Sequence, residues 1–134
     1  MIYKINSDSK HDIINYKEVS TLIDNNENVI LDFSASWCKP CKRIYPSLVK
    51  LAQNYQQVHF YKVDIGETDD ENLGEKFKIT CLPTLVFIHK GNVIYTATGV
   101  QPGAKNIIDT FSNYINLIDS SNTTTVFDLK NKGF

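Results

Sequence analysis

The sequence predicts an α/β domain, a central mixed β-sheet flanked by α-helices, on three observations. Short β-branched runs alternate with segments of helical period. Residues 84–88 and 93–97 read as two strands joined around Lys90-Gly91-Asn92, a short glycine-containing loop typical of a hairpin. A chain of 134 residues, 42% hydrophobic and 22% charged, is long and apolar enough for one domain with its own core.

The elements follow in chain order. The opening strand has two candidates, residues 2–5 and 12–15, and a helix through Val19, Leu22 and Ile23 follows either one. Val29-Ile30-Leu31-Asp32-Phe33 is a near-continuous apolar run, the mark of a strand covered on both faces. Ile44, Leu48, Leu51, Ala52 and Tyr55 recur at helical spacing, and residues 58–64 read as the next strand. The acidic, polar stretch 67–76 suits an exposed helix. After the hairpin, Ala104, Ile107, Ile108, Phe111, Ile115 and Ile118 share one face of a last amphipathic helix. The domain is expected over residues 1–118, with 1–11 as a candidate N-terminal extension. Residues 119–134 form a polar tail expected to be flexible, the alternative being that Val126-Phe127 docks on the domain or a partner.

Composition excludes several functions. A net charge of −1 gives no footprint for nucleic-acid backbones or anionic membranes. No apolar run approaches a membrane span, since Val29-Ile30-Leu31 stops at Asp32, and residues 1–8 contain no apolar leader. The Asn122-Thr123-Thr124 glycosylation match is therefore read as chance. The 3 cysteines, an odd and sparse set, favour redox chemistry in a reducing compartment over a secreted disulfide scaffold.

The chemistry concentrates in Trp37-Cys38-Lys39-Pro40-Cys41-Lys42, between a strand and a helix. At a helix N-terminus, unpaired amides and the macrodipole favour a thiolate at Cys38. Cys41 lies in the first turn, within disulfide reach, and Pro40 is tolerated there because first-turn amides lack intrahelical partners. Zinc is the competing use of such a pair. It would have to recruit Cys81, His11, His59 or His89 without a second paired motif, so no metal site is expected.

The segment Asp32-Phe33-Ser34-Ala35-Ser36-Trp37-Cys38-Lys39-Pro40-Cys41-Lys42 resembles the active-site strand, turn and helix start of the thioredoxin family, particularly its eukaryotic branch. Pro46, Ile79-Thr80-Cys81-Leu82-Pro83-Thr84, Lys90-Gly91-Asn92 and Gly99 extend the resemblance over residues 12–118. One departure stands out: Lys39 occupies a position where typical members carry glycine. The resemblance implies a thioredoxin fold, with Cys38 as exposed nucleophile and Cys41 as resolving thiol. Asp32 would be a buried acid with raised pKa that exchanges a proton with Cys41, and Lys62 would moderate that shift. Trp37 would form a flat rim beside Cys38. Leu82, ahead of a cis Pro83, would pair with an extended substrate, with Gly99 also facing it.

Cys81 is expected near the surface by the active site, as a thiol for an intermolecular disulfide or modification, or as an idle one. The activity implied is reduction of protein disulfides by a monomer, with Cys81 as the candidate link in any dimer. No bound cofactor is expected, since the redox-active element is the Cys38–Cys41 pair and neither GxGxxG nor a P-loop is present. Electrons would come from NADPH through a flavoprotein thioredoxin reductase. The expected location is cytoplasmic, or organellar if a targeting segment has been trimmed from the chain. Two alternatives stay open: a thioredoxin-fold binding scaffold with little turnover, and a disulfide oxidase or isomerase of a secretory compartment.

Overall fold

The structure, a computed structural model, describes residues 1–5, 13–66, 68–69, 71–99 and 104–122, with 104 and 119–122 described in backbone only. Its strands are β1 (Ile2–Lys4), β2 (Ile13–Ile14), β3 (Asn28–Ser34), β4 (Val58–Asp64), β5 (Thr84–His89) and β6 (Asn92–Thr98). They form one mixed sheet in the order β2-β1-β4-β3-β5-β6. Among the described strands, β3 and β4 are the parallel pair. The other pairings are antiparallel. Helices α1 (Tyr16–Asp24), α2 (Lys39–Asn54), α3 (Leu73–Lys76) and α4 (Ala104–Asn122) complete the domain.

The two-residue period of β3 sorts its side chains between two cores. Ile30, with Phe60, Leu85 and Phe87, packs with Ile44 and Leu48 of α2 and Phe111 and Tyr114 of α4. Val29, Leu31 and Phe33 pack with Tyr61 and Val63 of β4, Val19 of α1 and Leu73 of α3. Residues 29–34 are all buried, as the unbroken apolar run predicts. The parallel β3–β4 pair requires a crossover, which α2 supplies. At the β5–β6 turn, Lys90 and Gly91 both have positive φ, 50° and 79°, the backbone sense of a tight two-residue hairpin.

Four expectations need correction. Both candidate opening strands exist, and because Ile2–Lys4 pairs with β4 as well as β2, these residues belong to the sheet rather than to an extension. The exposed helix expected over 67–76 shrinks to α3. Asp69 accepts hydrogen bonds from the Leu73 and Gly74 amides at 2.8 and 2.9 Å, so it acts from outside the helix as its cap. Asn72, at φ 52°, is left-handed and cannot continue a helix backwards. In α4, Ile108 is 51% exposed, whereas Tyr114, absent from the expected face, is fully buried. The buried stripe is Ile107, Phe111, Tyr114 and Ile118; Ile108 lies about 100° around the axis from Ile107. The helical backbone also passes residue 118 to Asn122. The expected tail beyond it, residues 123–134, lies outside the described residues.

Tyr114 Oη donates to the Ile88 carbonyl at 2.8 Å inside the core, tying α4 to β5. Tyr114→Phe is expected to cost about 1–2 kcal/mol, because a buried carbonyl loses its partner. Phe111→Ala, which opens a cavity among the packed rings, is expected to cost about 3–5 kcal/mol. Denaturant midpoints of the two variants against the parent check the order.

Candidate active site

β3 ends at Ser34, and the chain turns through residues 35–38 into α2. Cys38 is the N-cap of that helix, and its Sγ accepts a hydrogen bond from the Cys41 amide at 3.2 Å. Its own amide donates to the Ala35 carbonyl at 3.0 Å, which closes the turn. Pro40 sits in the first helical turn, where its missing N–H leaves no intrahelical bond unmade. Cys38 and Cys41 form a disulfide with a Cα–Cα separation of 5.3 Å. Cys38, expected to be exposed, is 4% accessible and Cys41 2%. Leu82 packs against this sulfur pair and Ala35, so the loop before β5 covers what the helix end presents. Trp37, by contrast, is 67% exposed, which excludes core packing for it.

Gly66 carries no signal in its local sequence, yet it sets the space for Trp37. A Cβ at this position would lie 2.9 Å from Trp37 Nε1 and 2.6 Å from Ala35 Cβ, so only glycine fits without displacing them. The Gly66 amide donates to Asp64 Oδ1 at 3.0 Å, which holds the segment in place. Sequence reasoning misses this contact because it joins the end of β4 to the turn after β3.

Asp32 is buried in the middle of β3, and neither carboxylate oxygen has a hydrogen-bond partner among the described residues. Burial pushes its carboxyl up to about 7, against the opposing pull of the Lys62 ammonium. Lys62 is its register partner across the parallel β3–β4 ladder. The Lys62 Nζ lies 4.9 Å from the Tyr3 ring centre and 5.2 Å from that of Tyr45, a cation–π clamp from β1 and α2. Tyr45 is a second residue that sequence reasoning misses. Its phenol is raised by burial and by the nearby Asp32 charge. An open cleft of about 360 Å³ brings Cys41, Lys62, Tyr45 and Ser34 together on this flank of the disulfide.

The opposite flank is the loop before β5. The Leu82–Pro83 peptide is cis. The Thr84 hydroxyl donates to the Cys81 carbonyl at 2.8 Å, and the Gly99 amide to the Pro83 carbonyl at 2.9 Å. Gly99 has φ 63°, and a Cβ there would sit 3.8 Å from Cys81 Sγ, so the two are neighbours. Cys81 is exposed and unpaired. Lys39 is exposed at the start of α2. The histidines considered for zinc lie elsewhere. His59 faces Glu27 at 3.8 Å and His89 shares a 2.6 Å hydrogen bond with Asn28, both near the start of β3. His11 lies outside the described residues. Among the described residues, no group of 3 or more His, Cys, Asp or Glu could hold a metal ion.

The family model described as Thioredoxin matches residues 2–113 of this chain. Thioredoxin-2 of Saccharomyces cerevisiae is 34% identical over 104 residues, covering 78% of this chain and 91% of that protein. Thioredoxin of Mycoplasma pneumoniae is 39% identical over 94 residues, covering 70% and 90% respectively. Among solved structures, thioredoxin from Plasmodium falciparum superposes with a TM-score of 0.63 at 33% identity, covering 73% of this chain and 92% of its own.

The Asp32 shift has a consequence for stability. Its carboxyl titrates near 3.8 when unfolded and about 7 when folded, so between those values the folded chain holds a proton that the unfolded chain has lost. Stability therefore falls as pH rises through that window and stays at its lower level above it. Asp32→Asn, which cannot ionise, is expected to be the more stable protein at pH 8, by about 2–4 kcal/mol. The advantage should vanish near pH 4. Denaturation of both oxidised proteins across about pH 4–8 tests this, and parallel pH profiles would mean Asp32 ionises in the fold without penalty.

Proposed function

We propose, since this chain belongs to the thioredoxin family, that its Cys38–Cys41 pair reduces protein disulfides with Cys38 attacking and Cys41 resolving. The chain is a dithiol–disulfide oxidoreductase of that family. The observation that carries the order of attack is Cys38 at the N-cap of α2, with its sulfur toward the Cys41 amide. Such a site stabilises a thiolate through the amide and the helix dipole.

In the reduced protein the Cys38 thiolate attacks one sulfur of a substrate disulfide, forms a mixed disulfide and expels the other sulfur as thiolate. Cys41 then gives up its proton and attacks Cys38 Sγ. The Cys38–Cys41 bond forms, the mixed disulfide breaks, and the substrate leaves as a dithiol two electrons richer. Asp32, on the strand beneath, takes the Cys41 proton, and a carboxyl poised near 7 suits that exchange at neutral pH. Lys62 moderates the acid. Trp37 supplies an apolar rim, and the Leu82 backbone with Pro83 and Gly99 receives the substrate as an added strand. A thioredoxin reductase returns the pair to the dithiol, and no bound cofactor takes part. Among the described residues, no helix is long and apolar enough to cross a membrane. The sparse cysteines favour the cytoplasm as the working compartment.

Turnover of insulin disulfides with a thioredoxin reductase and NADPH tests the activity. Cys41→Ser is expected to accumulate mixed disulfides with protein substrates and Cys38→Ser to form none; stable adducts on Cys41 in the latter would reverse the order. Lys39→Glu replaces a cation beside Cys38 with an anion. Its thiolate absorbance should then titrate at higher pH than the parent's, most clearly at low salt. An unchanged titration would make Lys39 a bystander.

A further inference from the structure

The outward face of α2 carries charge of one sign only. The helix contains Lys39, Lys42, Arg43 and Lys50 and no Asp or Glu. Its apolar side, Ile44, Leu48 and Leu51, is buried against the sheet, which leaves these cations on the opposite, exposed side. Lys39, Arg43, Pro46 and Lys50 follow one another at spacings of four, three and four, with Lys42 alongside. The stripe therefore runs about 16 Å along the helix, at about 1.5 Å per residue. None of the four cations makes an ion pair among the described residues.

The stripe begins at the residue after Cys38, next to the exposed Trp37, so it is continuous with the reactive disulfide. The chain as a whole has a formal net charge of −1, and none of its acids is on α2. Asp24 and Glu27 precede β3, at the end of that strand away from the cysteines, whereas Asp64, in register with Ser34 at the cysteine end, lines the cleft beside Cys41 and Lys42 and leaves the outward side of α2 to its cations.

We infer that this face is a docking surface for protein substrates whose disulfide is flanked by an acidic segment, laid along α2 while the cystine meets Cys38. The inference rests on the reductase reading above and names the substrate class it serves. Charge complementarity selects an acidic polypeptide. A nucleic acid or an anionic bilayer would also meet the rest of a net-negative chain, whereas a short segment laid along the outward side of α2 meets the cations of that helix. Exposed charges of this kind act on encounter and on KM, and salt screens them.

The test uses two synthetic cystine peptides with the same core, one flanked by glutamates and one by lysines, and the uncharged bis(2-hydroxyethyl) disulfide as a basal substrate. The full chain is expected to prefer the acidic peptide by about tenfold in kcat/KM at low salt, through KM, with the preference fading at about 0.5 M salt. Arg43→Glu combined with Lys50→Glu should abolish or invert the preference and leave the uncharged disulfide's rate unchanged. Equal kcat/KM for both peptides at low salt, or a preference that survives the double charge reversal, would overturn the proposal. So would co-sedimentation with phosphatidylserine vesicles at physiological salt that the same double variant abolishes, since that would assign the face to lipid. Loss of turnover on all three disulfides would strike the reductase reading itself, and the docking proposal with it.

Discussion

The central strand β3 must be buried on both faces, and most of what this protein can do follows from how that burial is met. A strand rich in Val, Ile, Leu and Phe on both sides needs a layer above and a layer below. The parallel pairing with β4 then forces the intervening chain to cross over one face, and α2 is that crossover. A crossover helix starts where the preceding strand ends. The cysteine pair therefore arrives at a helix N-terminus beyond the C-terminal end of the central strand, where free amides and the helix dipole act on Cys38.

Within that apolar strand, Asp32 is the exception that costs stability. Its two oxygens find no partner among the described residues, and burial favours its neutral form. The ionic compensation offered is indirect. Lys62 is the adjacent residue in the ladder, and its ammonium is held between the Tyr3 and Tyr45 rings. A core residue chosen for packing at this position would have been Val or Ile, like its neighbours along β3. A buried ionisable group that destabilises the fold is the kind of feature the proton exchange proposed above would use.

The surface around the disulfide divides into flanks of different character. Trp37 stands out over Gly66, and Leu82 covers the sulfurs from the loop before β5. The cleft with Tyr45 and Lys62 opens beside Cys41, and α2 adds a face that is cationic throughout. Under the proposed reading, rim, loop and helix would offer a substrate contact area, backbone pairing and charge in turn. The first two would suit any extended polypeptide, whereas the last would discriminate among them.

Local pattern was sufficient for much of this. The apolar run of β3, the helical spacing of α2, the glycine turn at Lys90-Gly91 and the paired cysteines at a strand–helix junction are properties of neighbouring residues, and each is legible in the sequence for that reason. What the sequence left open depends on residues far apart in the chain. Cys38 is buried in a cluster with Ala35 and Cys41 against which Leu82 packs, and the requirement for glycine at position 66 comes from Ala35 and Trp37. The clamp on Lys62 joins residues 3, 45 and 62, and Tyr114 belongs to the core stripe of α4, where its hydroxyl meets the Ile88 carbonyl, while Ile108 faces outward. Spacing along one element reports which side chains share a face. Which of them is covered, clamped or left exposed is decided by what the tertiary fold brings against that face.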